Sequence, residues 1–171
     1  YNYVHDAVDK HVTSHRRNKL ALIWDGEDGQ VRKLTYWELW TETNRLAHAL
    51  WALGIDKGDR VGIFMPMTPE VAMATLACSK IGAIYIPIFS GYGPAAVASR
   101  LQASDARLLI TADGFYRRGQ VVPMKEVADQ AAAEVSSVEH VLVYRRIGRE
   151  VPWKEGRDVW WREAWEGAPN Y

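Results

Sequence analysis

Cysteine is almost absent from the chain, since Cys78 is the single one in 171 residues. No internal disulfide can form, and a lone cysteine inside an apolar stretch reads as a buried structural thiol in a reducing compartment. An excess of charge of one sign is missing too. Lys and Arg together number 21, as do Asp and Glu, so no net field draws the chain to nucleic acid or to an anionic membrane. Any anion binding is left to local patches. No apolar run reaches spanning length and no secretory segment is present, which argues against a membrane partner and points to the cytoplasm. Internal repeats and low-complexity linkers are absent, as are a G-x-G-x-x-G fingerprint and a P-loop. His5, His11 and His15 are spaced too widely for a ligand pair and lack cysteine or acidic companions, so they read as surface or packing histidines. The acidic run Asp25-Gly26-Glu27-Asp28-Gly29 lacks the ligand register of an EF-hand loop and reads as a plain turn.

What remains is the composition of a soluble globular protein, 48% hydrophobic and 25% charged, long enough to bury a core as one domain or a large part of one. The pattern predicts an amphipathic cover helix over 3–15 and a β-hairpin pairing 20–24 with 31–34. Thr35 and Glu38 stand in capping-box relation at the head of a helix that Gly54 closes, with Tyr36, Leu39, Trp40, Leu46, Ala47, Leu50 and Trp51 as its apolar stripe. Next come a buried strand over 60–65, a helix opened by Thr68-Pro69-Glu70 and ended by Gly82, and a strand over 83–89. A helix from Gly93-Pro94 leads to a third strand over 107–110. Pro123 opens another helix, and 140–144 makes a fourth strand. Strands alternating with helices predict an α/β fold with a mostly parallel, doubly wound sheet flanked by helices, plus the small amino-terminal hairpin.

In such sheets ligands bind outside the carboxyl ends of the strands. The loops expected there are Pro66-Met67-Thr68, Ser90-Gly91-Tyr92-Gly93 and a basic loop over 113–120 that carries Arg117 and Arg118. Between a strand end and a helix start, these two cations read either as a phosphate site or as a solvated surface pair. The last stretch mixes Arg145, Arg146, Arg149, Lys154 and Arg157 with Trp153, Trp160, Trp161 and Trp165. Interleaved acids cancel the field that nucleic-acid stacking requires, so a short amphipathic helix from Asp158 docking its tryptophans is the expectation. The organisation expected is thus a cover helix and hairpin over 1–35, an α/β subdomain over 36–145 and a Trp-rich segment over 146–171.

A succession of motifs then resembles a known family. Residues 34–39 (Leu-Thr-Tyr-Trp-Glu-Leu), 58–61 (Gly-Asp-Arg-Val), Met65-Pro66-Met67 with Pro69-Glu70, Phe89-Ser90-Gly91-Tyr92, 110–114 (Ile-Thr-Ala-Asp-Gly), 137–141 (Ser-Val-Glu-His-Val) and 155–161 (Glu-Gly-Arg-Asp-Val-Trp-Trp) occur in unbroken order. They resemble the amino-terminal part of AMP-forming acetyl-CoA synthetases, adenylate-forming enzymes. The resemblance implies the amino-terminal part of a large domain in a ligase that joins a short carboxylic acid to coenzyme A. ATP is cleaved to AMP and pyrophosphate, and Mg²⁺ accompanies ATP. The family's phosphate loop, its adenine and ribose motifs and its carboxy-terminal domain with the adenylation lysine have no counterpart here, so no catalytic residue is named and the chain alone is expected to be inactive. Part of the family's coenzyme A site does have counterparts. Its Phe-Gly-Gly-Phe loop reads Phe89-Ser90-Gly91-Tyr92, and its Arg-x-Gly-Lys/Arg loop reads Arg117-Arg118-Gly119-Gln120. Gly91 and Arg117 match, while Ser90 and Gln120 depart. Gln120 removes a cation that the resemblance expects there, and Arg118, two positions earlier, is the expected substitute.

Overall fold

The computed structural model describes residues 2–171. Helix α1 is wound as a π-helix over His5–Asp9 and as an α-helix over Lys10–Val12, ending before the expected polar tail. Strands β1 (Leu20–Asp25) and β2 (Val31–Thr35) form the antiparallel amino-terminal hairpin. Helix α2 (Tyr36–Ala52) starts with the full capping box, Thr35 accepting from the Glu38 N–H and Glu38 from the Thr35 N–H, an arrangement that contributes about 1 kcal/mol. Leu39, Leu46 and Leu50 of its stripe are buried, whereas Trp51 lies half exposed.

Five strands make the central sheet. They are β3 (Arg60–Phe64), β4 (Ile84–Ile88), β5 (Leu108–Ala112), β8 (His140–Tyr144) and β9 (Asp158–Trp160), all parallel, in the order β4-β3-β5-β8-β9. Helices α3 (Pro69–Ile81), α4 (Pro94–Ser104), α5 (Met124–Ala133) and α6 (Trp161–Trp165) complete the chain. Helix α2 packs on α3 and α6 on one face, and α4 packs on α5 on the other. Every residue of β5 is buried, as expected of a strand covered on both faces. Gly62 lets α4 close on the sheet, since a Cβ there would meet Leu101 Cδ2 at 2.5 Å and Leu109 Cδ1 at 3.2 Å.

Two expectations need correction. The segment from Asp158 opens not as a helix but as the fifth strand, with α6 following only at Trp161. The reason is ionic: Asp158 is buried, accepting from Lys125 Nζ at 2.8 Å and from the Lys154 N–H at 2.8 Å, which fixes its backbone against β8. Lys125 is itself fully buried and also donates to both Asp129 carboxylate oxygens and to the Pro152 carbonyl. Arg157 joins the network through Asp129 and Asp158. Burial alone would raise the Asp158 carboxyl, yet hydrogen bonds from Arg157 and Lys125 hold it below the usual carboxylate range. The second correction is that the basic segment is no flexible loop. It is an antiparallel hairpin, β6 (Phe115–Arg117) and β7 (Gln120–Val122), and Pro123 opens α5 from the N-cap position.

The strand order places the site. From β3 the chain crosses to β4 on one side, then returns past β3 to β5 on the other. Between β3 and β5 lies a switch point, where open α/β sheets bind ligands beyond their strand ends.

Candidate anion site at the strand ends

Three segments converge beyond the carboxyl ends of the strands. After β4, Phe89 to Tyr92 make a tight turn closed by the Tyr92 N–H donating to the Phe89 carbonyl at 3.0 Å. Ser90 and Gly91 are its central residues. The Phe89 and Tyr92 rings meet edge to face at 5.5 Å, and the Arg100 guanidinium lies 4.2 Å over the Tyr92 ring, which ties the turn to α4.

After β5 comes the basic hairpin. Its two-residue turn places Arg118 at φ 53° and Gly119 at φ 73°, the paired left-handed conformation of a type I′ turn. Arg117 and Gln120 face each other across the turn. A Cβ added at Gly91 would lie 3.3 Å from Arg117 Nη1 and 2.6 Å from the Phe89 ring. The Arg117 guanidinium therefore sits directly beside the Ser90-Gly91 turn, and any side chain at Gly91 would crowd it. Arg117, Arg118 and Gln120 are all exposed, and among the described residues neither arginine is ion-paired. The geometry brings Ser90, Gly91 and Arg117 together. Arg118 occupies the turn itself, and Gln120 follows on the return strand.

The third segment follows β8. The Asp113 carboxylate, fully buried at the end of β5, accepts four backbone N–H groups, from Arg146 and Ile147 on Oδ1 (2.8 and 3.1 Å) and from Gly148 and Arg149 on Oδ2 (2.8 and 3.1 Å). Arg149 donates back to the Asp113 carbonyl and clasps Glu126. Arg146 is thereby delivered to the strand-end cleft. Its guanidinium pairs with Asp28 at 2.8 Å and covers the Trp24 ring at 4.9 Å, and that hydrogen bond holds the Asp28 carboxyl below its usual range.

The amino-terminal hairpin closes the cleft from above. Trp24 Nε1 donates to the Met67 carbonyl at 2.7 Å, Arg32 pairs with buried Glu70 at 2.7 Å, and the Gly119 N–H donates to Glu27 Oε1 at 2.6 Å. Arg32 also reaches the Tyr144 hydroxyl, whose pKa burial pushes up to about 12. The cleft so enclosed measures about 350 Å³ and is lined among others by Trp24, Glu27, Phe89, Ser90, Arg117 and Arg146. Aromatic walls, an unpaired guanidinium and turn backbone suit a ring-bearing anion.

Residues 8–169 match the family model of AMP-binding enzymes. The chain belongs to this family. It is 44% identical over 169 residues to the acetyl-coenzyme A synthetase of Methanothrix thermoacetophila, a match covering 98% of this chain and 26% of the relative. It is 48% identical over 175 residues to that of Rhodopirellula baltica, covering 99% of this chain and 26% of the relative. The 3-hydroxypropionyl-coenzyme A synthetase of Sulfurisphaera tokodaii is 46% identical over 166 residues, covering 95% of this chain and 25% of that protein. The chain thus spans about a quarter of the length of the curated relatives it matches.

Sequence reasoning missed Glu27, Asp113 and Arg146 as makers of this site. Asp113 carried one faint signal, its place shortly after the apolar run Leu108-Leu109-Ile110. The other two depend on contacts across 92 and 118 residues of chain.

Proposed function

We propose that this chain is the amino-terminal quarter of an AMP-forming ligase that joins acetate or another short carboxylic acid to coenzyme A, with release of AMP and pyrophosphate. The observation that carries the reading is the juxtaposition of Gly91, after β4, with Arg117, after β5, at the strand ends of a chain whose relatives are named as coenzyme A synthetases. In this reading the chain supplies part of the coenzyme A site. Arg117 meets a phosphate oxygen with its guanidinium, Ser90 and Gly91 offer the close-approaching turn, and Arg118 stands in for the cation that Gln120 lacks. Adenylation converts the acid's oxygen into a good leaving group, and the coenzyme A thiol then takes the acyl carbon. The groups for those two steps belong to the three quarters of relative-length sequence outside this chain. Mg²⁺ would neutralise charge on the ATP phosphates. Among the described residues no three His, Cys, Asp or Glu side chains gather as a metal site.

The proposal keeps the division into 1–35, 36–145 and 146–171 and a cytoplasmic setting. The buried Cys78 thiol, pushed up to about 12 by its apolar surroundings, accords with that setting, and among the described residues no helix is long and apolar enough to cross a membrane. The acid is less defined than the reaction, because one relative of similar identity is named for 3-hydroxypropionate. A coupled assay for AMP with a full-length protein carrying this chain tests the reading. AMP formation requiring ATP, a short acid and coenzyme A together supports it, and the 171 residues alone should give none. Ligand binding without any turnover in the full-length protein would instead favour a non-catalytic α/β nucleotide- or partner-binding module.

A further inference from the structure

The basic hairpin is not alone at its cleft. Glu27, from the turn between β1 and β2, reaches across to accept the Gly119 N–H at 2.6 Å. Gly119 is the second residue of the turn between Arg117 and Gln120. Glu27 and Arg117 line the same cleft. The carboxylate therefore occupies a backbone donor at the tip of the hairpin whose guanidinium is unpaired. It brings the only full negative charge in contact with that tip among the described residues. Asp28, its neighbour, is neutralised by Arg146 at 2.8 Å, whereas Glu27 has no cationic partner among the described residues' ion pairs.

An acid in this position does two things to an arriving phosphate. It repels the ligand's charge at short range, and it withholds an N–H that a phosphate oxygen would otherwise accept. Its pull on the approaching anion is opposite in sign to that of Arg117, so the net field of the cleft is the difference between them. A ligand carrying one more phosphate charge is penalised more than one carrying fewer.

We propose that Glu27 is a specificity-determining residue of this cleft, a carboxylate that competes with the ligand's phosphate for the Gly119 N–H and limits affinity for coenzyme A. This rests on reading the cleft as the coenzyme A phosphate site. It gives the amino-terminal hairpin a part in substrate selection in addition to its structural docking through Trp24 and Arg32.

The test compares Glu27→Gln and Glu27→Ala with Arg117→Ala in a full-length protein carrying this chain, using coenzyme A and dephospho-coenzyme A as probes. Glutamine keeps an acceptor for the Gly119 N–H and removes only the charge, so the hairpin contact survives. The expected result is a fall in KM for coenzyme A of about three- to tenfold relative to KM for ATP. The fall should be larger for coenzyme A than for the dephospho form, and larger for alanine, which also frees the N–H. A KM for coenzyme A that stays constant or rises in both Glu27 variants, while Arg117→Ala still raises it, overturns the role of Glu27 and leaves the site intact. If Arg117→Ala leaves KM for coenzyme A unmoved, the reading of the cleft itself falls.

Discussion

Asp113 Oδ1 accepts the Arg146 backbone N–H at 2.8 Å, so one carboxylate at the end of β5 fixes the residue that closes the cleft from the neighbouring strand. With the other three N–H groups it holds, this makes Asp113 the structural pin of the site. Asp113→Ala should destabilise the fold by about 2–4 kcal/mol, because four donors lose a charged acceptor. Asp113→Asn, which keeps one acceptor oxygen, should cost less. Chemical denaturation of the two variants checks the order, and equal costs would contradict it.

The network of Lys125, Asp129, Arg157 and Asp158 makes a second prediction. Removing Lys125 takes one of two cations from two carboxylates and leaves Arg157 to hold both, so Lys125→Ala should cost up to about 3–5 kcal/mol. Replacement by methionine, which fills the space without a charge, leaves Asp158 with Arg157 and the Lys154 N–H but without the Lys125 donor on its buried Oδ2, and should not restore full stability. Lys125→Met together with Asp158→Leu should recover part of the loss, measured as urea midpoints.

That network and the separate Arg149–Glu126 pair set a pH dependence. Asp158 and Glu126 are held below their usual pKa, each against burial, by hydrogen bonds from Arg157 and Lys125 and from Arg149 respectively. A lowered folded pKa gives stability that is fully present above the unfolded value, about 4, and is lost as pH falls through the folded one. The urea midpoint should therefore hold steady from neutral pH down to about 5 and fall below about 4. A midpoint that rises on acidification would contradict the assignment.

Much of the fold was legible because β3, β5 and β8 are short apolar runs buried in the middle of the sheet, which also separates them from the amphipathic helices between. Capping by Thr35 with Glu38 and the stops at Gly54 and Gly82 were equally local, and α2 and α3 end where those signals stand. Strand β9 was not legible, since Asp158-Val159-Trp160 is three residues long and its leading acid is stabilised by Lys125, 33 positions earlier. The basic hairpin was hidden for another reason. Its turn uses Arg118 in a conformation for which asparagine or glycine is the usual signal. Of the candidate site, Gly91 and Arg117 were found by motif and meet in space. Glu27 and Arg146 come from sequence-distant loops whose charges read locally as solvated turns.

Gly91 offers a direct steric probe. Its own backbone needs no left-handed φ, yet a Cβ there would press on the Phe89 ring and on Arg117 Nη1. Phe89 is 58% exposed and can yield, so Gly91→Ala should change stability by less than about 1 kcal/mol. It should nevertheless displace the guanidinium and raise KM for coenzyme A several-fold. Thermal unfolding and kinetics on one preparation separate the two effects.

The most direct test of the site is Arg117→Gln in a full-length protein carrying this chain, with KM measured for coenzyme A and for ATP under the same conditions. Losing a charge-assisted contact worth about 1.5–3 kcal/mol should raise KM for coenzyme A by about 10- to 100-fold and leave that for ATP within about twofold. Equal effects on the two constants, or none on coenzyme A, would contradict a phosphate contact at Arg117.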